Sequence, residues 1–457
     1  MTLLKRGEKI ALLRACTPGE GGCMDRWSVG SRRNILRLLT LFIVVLVALS
    51  ACTTQASSSN VSGPPIKIGI SLSSSGQFAE DGQASEQGYQ LWADMVNQNG
   101  GLLGRPVQLV ILHDDSTQSK VAANYKQLIT VDHVNLVFGP FSTLLTLAAA
   151  PVAARYGYAL VEGSGGGPSV FTQGFTNVFD VSLPVDENLI SFALYVLSLP
   201  KAIRPTTVAY ATEDDPFTQP QIDKVVPLLT QGGVTPVYYD VYSSDTKNFT
   251  PIADKIIQSG AQIVIVGTFL PDIAAFIQRF RQANYNPKMI IATAGPDQGE
   301  AFVKAIGGEK YTQGIMVPNG WYPQVDNFQN AQMVQAYLAK YGGTADNINA
   351  DVAEAFSVGQ VVAQAITKTQ SLDNAKLMHE LHSDIFNSVQ GSVQFDSTGQ
   401  NTLALAYLFQ WQNGSLIPVY PDSIAVANPR FRPITWQSGS LVPVCGGMTN
   451  VPCGASL

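Results

Sequence analysis

Short apolar runs and amphipathic stretches alternate along most of this chain. Ile66–Leu72 (IKIGISL) and Val107–Leu112 are runs of strand length, the pattern of strands buried on both faces. Gln83–Asn97, closed by Asn99-Gly100-Gly101, and Val121–Val131 carry helical spacing. Val134–Phe138 is again a strand, and Leu144–Arg155, rich in Ala and Leu, a helix behind Ser142-Thr143. Tyr158–Val161 begins a strand that runs into the glycine loop Gly163–Pro168. After Phe179-Asp180-Val181 and Pro184 the alternation starts afresh, with helices over Glu187–Leu199, Gln221–Leu229, Ile252–Ser259 and Pro271–Ala283. Strands Thr207–Tyr210, Val237–Val241, Gln262–Val266 and Lys288–Ala292 lie between and after them. Gly314–Val317 predicts another strand, Phe328–Tyr341 and Val352–Thr367 long helices, and Val393–Phe395 and Leu403–Trp411 further strands. The alternation predicts a doubly wound α/β fold, and its restart predicts two Rossmann-like lobes. Open parallel sheets bind ligands outside the carboxyl ends of their strands. The loops at Ser142-Thr143 and 163–167 are therefore candidate parts of a small-molecule site.

Before residue 66 the pattern changes. A basic stretch, Ser31–Arg37, precedes the apolar core Leu38–Leu49, which is shorter than the roughly 20 residues of a membrane span. It ends at Leu49-Ser50-Ala51-Cys52, which resembles the bacterial lipobox, whose Cys becomes lipid-modified and N-terminal. Residues 1–51 are read as a signal peptide, with Met24 an alternative start, and the Ser-rich stretch 52–65 as a flexible tether. The chain carries a net charge of −6. Residues 1–51 hold eight basic against three acidic side chains, so the rest carries 20 against 31 and a net charge of −11. Phosphate binding needs a basic face, so no nucleic-acid partner is expected. With the leader removed and Cys52 lipidated, only Cys445 and Cys453 remain, as a disulfide or as two free thiols.

The runs NQNGGLLGRPVQLVILHDD (Asn97–Asp115) and VFGPFSTLLTLAAAPVAARYGYAL (Val137–Leu160) carry a family resemblance. The chain from Ile66 to about Tyr420 resembles the type I periplasmic binding-protein fold, and more closely the leucine/isoleucine/valine-binding family of ABC-transporter receptors. The resemblance implies a chain that crosses between lobes three times, near Leu183, Gly314–Pro318 and Gln400. Lobe 1 would be 66–183 and 315–400, lobe 2 184–314 and 401–420, and 421–457 a C-terminal surface tail. It also implies hinge closure on a solute in the cleft.

In that family the ligand's carboxylate is held after the third strand and by a small-residue loop after the fourth. Ser142 and Thr143, and Ser164, Gly165 and Gly166, match those places. A glycine loop can turn successive N–H groups inward, and a helix N-terminus adds its dipole. The same residues would also suit an ordinary N-cap and a surface turn. The sequence has Gly166 where the family usually has Thr. Phe217 and Phe269 match the aromatics that cover the ligand from the second lobe, where Tyr is common. An ammonium group would need an acid: Asp297 is the nearest match to the family's acidic residue and Asp351 a further candidate, both also readable as solvated surface acids, and Phe78 is a weaker contact candidate. The implied function is an extracytoplasmic lipoprotein, anchored to the bacterial membrane through Cys52, that delivers an amino acid or related carboxylate to an ABC permease as a monomer. A sensory receptor of the same fold and a secreted hydrolase are the other readings.

Residue patterns give an enzyme little support. There is no GxGxxG fingerprint opening a helix, no P-loop, and no GxSxG elbow, since Ser164 is followed by Gly165-Gly166. His379 and His382 share a helix spacing, but no acidic or Cys partner completing a metal-ligand pattern is evident, so neither metal nor cofactor is expected. Asp114-Asp115 and Asp214-Asp215 read as solvated loop acids.

Overall fold

The computed structural model describes residues 61–432, 435–436 and 442–443. The leader, Cys52, Cys445 and Cys453 lie outside the described residues. In chain order the first part runs β1 (Ile66–Leu72), α1 (Ala79–Gln98), β2 (Val107–His113), α2 (Gln118–Thr130), β3 (Leu136–Phe138), α3 (Thr143–Arg155), β4 (Leu160–Glu162), α4 (Pro168–Phe171) and β5 (Val178–Asp180). These five strands form a parallel sheet in the order β2-β1-β3-β4-β5.

The chain then builds α5 (Ile190–Ser198), β6 (Thr207–Glu213), α6 (Thr218–Gln231), β7 (Thr235–Tyr242), α7 (Thr250–Ser259), β8 (Ile263–Gly267), α8 (Leu270–Gln282), β9 (Met289–Ala292), α9 (Gly299–Ala305) and β10 (Ile315–Asn319). It returns to the first lobe through α10 (Asn330–Tyr341), α11 (Ala350–Thr369), α12 (Asn374–Ser383) and the hairpin β11 (Phe386–Ser388) and β12 (Gly391–Val393). It ends with β13 (Tyr407–Gln412), β14 (Ser415–Tyr420), β15 (Arg430–Phe431) and β16 (Val442–Pro443). The second sheet reads β14-β13-β10-β9-β8-β6-β7, parallel from β10 to β7 and antiparallel across β13 and β14.

The strands buried on both faces are the apolar runs. Every residue of β8 (IVIVG) is buried, as is every residue of β9 (MIIA). Ile66, Ile68 and Ile70 pack with Leu91 and Trp92 of α1 and Val352, Phe356 and Val358 of α11 in one core. Helices α1 and α11 lie unusually close. A Cβ at Gly88 would overlap the Val352 carbonyl oxygen, and one at Gly359 would overlap the Trp92 indole. Position 88 faces 352 and position 92 faces 359, so the two helices run in the same direction.

Three connections join the lobes. The first follows Asp180. The second follows Asn319, because β10 pairs with β9 and β13 in the second sheet. Residues 315–319, which the sequence assigns to the first lobe, thus belong with the second. The third lies between Asn401 and Tyr407. The first and third touch one another, where Asn401 donates to the Val181 carbonyl (2.9 Å), and the β11–β12 turn joins them as Gln390 donates to the Ser182 hydroxyl (3.0 Å). The start of the C-terminal stretch is more deeply packed than a surface tail. Arg432 is buried and donates to the Gln313 carbonyl at 2.7 Å, and Trp436 donates to the Tyr285 carbonyl at 2.8 Å. Asp114 also differs from a solvated loop acid. It is buried and accepts from the hydroxyls of Ser71 (2.8 Å) and Ser73 (2.6 Å), fixing the exit of β1.

Candidate binding site between the lobes

Strand ends and helix starts from both lobes enclose a cavity of about 70 Å³. One water needs roughly 10–15 Å³ on such a scale, so the space suits a small solute in a closed cleft. The lobes meet around it: Gln77 donates to Glu213 at 3.0 Å, and Gln298 donates to Asp81.

Of the residues that the sequence singles out, Ser164, Gly166, Phe217, Asp297 and Asp351 line this cavity. Phe217 is held by Asp215, whose Oδ1 accepts from the Phe217 N–H at 2.7 Å. Asp215 is itself buried rather than solvated. Phe269 stands behind Phe217, stacked at 5.6 Å between ring centroids, and Phe78 meets Phe269 edge-on at 5.1 Å. Both are buried in an apolar cluster that joins the lobes and are not among the lining residues. Ser142, Thr143 and Gly165 also lie outside the lining. Ser142 has φ 146°, unusual for a residue with a Cβ, and its buried hydroxyl has no partner.

The hydroxyl-and-glycine arrangement is present, but three of its donors are already engaged. The Gly165 N–H donates to Glu162, the Gly167 N–H to the Thr143 hydroxyl at 3.1 Å, and the Ser164 hydroxyl to Glu354 at 2.6 Å. A carboxylate therefore sits on the glycine loop, and it comes from the protein itself. Gly166 has a matching explanation. A Cβ there would overlap the Asp180 Oδ2, so the space of the family's usual Thr is taken by an acid.

Four acids of the site were not singled out by sequence: Asp81, Glu162, Asp180 and Glu354. Asp81 lies in the first turn of α1, and Asp351 and Glu354 lie one turn apart at the start of α11. Because α1 and α11 are parallel, both bring their N-termini to the cleft. Glu162 and Asp180 end β4 and β5 and face each other in register, about 4.8 Å apart at the backbone. Acids that close buried apolar runs (LVE, VFD) at the carboxyl edge of a sheet were the available signal.

Asp81, Asp180, Asp297, Asp351 and Glu354 line the cavity, and among the described residues no Lys, Arg or His does. Burial raises every one of them. Asp81 is pushed up to about 7, with Asp297 adding repulsion, although its hydrogen bond with Asp351 opposes the rise. Asp180 is pushed to about 7, Asp297 to about 6 and Glu354 to about 8, again by burial first. Burial raises Asp351 and Glu162 well above the carboxylate range, and the Asp81 charge adds to the first and the Asp180 charge to the second. The carboxyl-to-carboxyl hydrogen bonds Asp81–Asp351 and Asp351–Glu354 each require a proton.

These groups hold protons more tightly folded than unfolded. Their contribution to stability is complete below the unfolded carboxylate range, near pH 4, and is lost as pH rises through about 6 to 8. The ligand-free protein should therefore melt several degrees lower at pH 8.5 than at pH 5 by scanning calorimetry. A flat profile over that interval would contradict a protonated cluster.

Comparison with known proteins fits this architecture. The family described as "Periplasmic binding protein" matches residues 65–415. The chain belongs to that family. Among relatives of this periplasmic binding protein, the Leu/Ile/Val-binding protein homolog 7 of Brucella abortus (strain 2308) is 25% identical over 405 residues, covering 84% of this chain and 98% of its own. Homolog 8 of the same strain is also 25% identical, over 84% and 96%. LivJ of Streptococcus pneumoniae, a branched-chain amino acid transporter substrate binding protein solved with isoleucine, is 20% identical. It covers 78% of this chain and 100% of its own, with a TM-score of 0.68. An ABC-transporter solute binding protein of R. palustris solved with benzoate is 17% identical, over 80% and 98%, with a TM-score of 0.68. At those identities the solved structures speak for the fold. Among the described residues no helix is long and apolar enough to cross a membrane.

Proposed function

We propose that this periplasmic binding protein receives a small, amino-bearing solute in its interlobe cleft and presents it to an ABC permease for import. The observation that carries the reading is the interlobe cavity, lined by five carboxyl groups and the Phe217 ring and, among the described residues, by no cationic side chain. Such a lining can neutralise an ammonium group and cover an apolar stem. The leader and the Cys52 motif support an extracytoplasmic, lipid-anchored protein, with the Ser-rich segment as tether. The bulk of the chain forms one closed two-lobed body, which supports action as a single copy.

A thermal-shift screen of small solutes, followed by calorimetry, tests the reading, since a ligand bound only by the folded state raises its melting temperature. At least one amino-bearing solute should bind, and Phe217→Ala should weaken it about tenfold, as expected for about 1.4 kcal/mol of lost aromatic packing. A screen in which no small solute binds would sink the transport reading. Unchanged affinity in Phe217→Ala would remove that ring from the site. Cys52→Ala should release the chain from the membrane fraction.

A further inference from the structure

We infer that the solute is an organic cation without a carboxylate group, of the diamine class. The inference deepens the solute-receptor reading and rests on it. Three observations lead to it. Three donors of the glycine loop are occupied from within, the Gly165 N–H by Glu162, the Ser164 hydroxyl by Glu354 and the Gly167 N–H by the Thr143 hydroxyl, and the unpartnered Ser142 hydroxyl is not among the lining residues. A second carboxylate brought to that loop would meet the carboxyl groups of Glu162 and Asp180. Next, Asp180 is fully buried, lines the cavity, and leaves its Oδ2 without a hydrogen-bond partner. A buried acceptor left unpaired is costly, and a donor from the solute would remove that cost. Last, the acids form two groups. Asp81, Asp297 and Asp351 stand at the helix starts, and Asp180 with Glu162 at the strand ends, with Glu354 acting on members of both. Two groups of acceptors suit two amino groups joined by an apolar stem that Phe217 can cover.

A bare metal ion fits less well. Among the described residues no three His, Cys, Asp or Glu side chains converge as metal ligands. Proton linkage follows from the same arrangement. The titratable groups that line the cavity are all acids; Glu80 acts on Asp81, the Tyr89 hydroxyl lies by Glu162 and Glu354, and the buried Asp215 stands behind Phe217. Without solute they share protons, and a cation must displace those protons to bind. A primary diamine stays charged from pH 5.5 to 8, so its affinity should rise over that interval.

The test is titration calorimetry of the full two-lobed protein, freed of co-purified solute by unfolding and refolding, with 1,4-diaminobutane, 1,5-diaminopentane, 1-aminobutane, leucine, isoleucine and benzoate. A diamine should bind at least 100-fold more tightly than leucine or isoleucine, and benzoate should give no heat. Removing one amino group, as in 1-aminobutane, should weaken binding at least tenfold. Diamine affinity should rise at least tenfold from pH 5.5 to 8, with protons released in buffers of different ionisation enthalpy. Leucine or isoleucine binding more tightly than either diamine overturns the inference and leaves the solute-receptor reading standing. So does a diamine affinity that falls as pH rises. If none of the six binds, the diamine class is excluded, and the wider solute screen then decides the receptor reading separately.

Discussion

Replacing Asp180 with Asn is expected to weaken binding of the cleft's solute about 100-fold while raising the melting temperature of the ligand-free protein at pH 8. The two effects have one cause. The Asp180 Oδ1 accepts from the Ser182 N–H at 2.8 Å, a bond that an amide oxygen can keep. Its Oδ2 has no partner and belongs to a cavity-lining side chain. An amide there would present N–H groups to a cationic solute where an acceptor had stood. Losing a charged hydrogen bond in a buried site costs about 3 kcal/mol, or about 100-fold. Without solute the same change removes a buried acid facing Glu162 in register, so repulsion and desolvation are both relieved. Calorimetry and thermal melts read both effects. Unchanged affinity would exclude Asp180 from the site. Loss of both affinity and stability would instead indicate a structural role.

Gly359→Val is expected to cost about 3 kcal/mol of stability or more, read as a lower urea midpoint. Any side chain at that position enters the Trp92 indole, and Trp92 is only 2% exposed, with no free direction to move. Overpacking of this kind typically costs 1–3 kcal/mol, and a β-branched residue in a tight helix crossing sits at the upper end. Gly359→Ala gives a sharper sign test. Helix propensity alone would make it about 1 kcal/mol more stable, whereas the crossing makes it less stable. Solute affinity should fall alongside, because separating α1 from α11 draws Asp351 away from Asp81. A stable Gly359→Ala protein would mean that the two helices can part without harm.

Much of the fold could be read because strands buried on both faces must be apolar runs bounded by helices, as at Ile66–Leu72 and Ile263–Gly267. The misses have identifiable causes, some local and some long-range. β14 carries Pro418, which lowers strand propensity and is tolerated because β14 is an edge strand. β10 was legible as a strand, but its sheet was not, because pairing with β9 and β13 is a long-range fact. At the cavity, Phe217 and Asp297 are matched through the resemblance, and Asp351 reads only as an acid facing the cleft. Asp81 was hidden because α1 begins at Ala79, four residues before the apolar periodicity suggests. Glu162 and Asp180 each end a short apolar run, and nothing in one dimension joins them. Only the register of β4 with β5 sets them side by side.

The contact between Gly166 and Asp180 constrains how such a cleft can change over generations. A side chain at 166 needs the space that the Asp180 carboxylate fills, so neither position is free to vary alone. Gaining a hydroxyl at 166 first would displace the acid and spoil the present site. Losing the acid first would leave the glycine loop still occupied by Glu162. A lineage moving between acid-lined and hydroxyl-lined clefts must therefore pass through an impaired intermediate or change both residues together. The two positions should be inherited as a pair, one reporting the identity of the other across relatives.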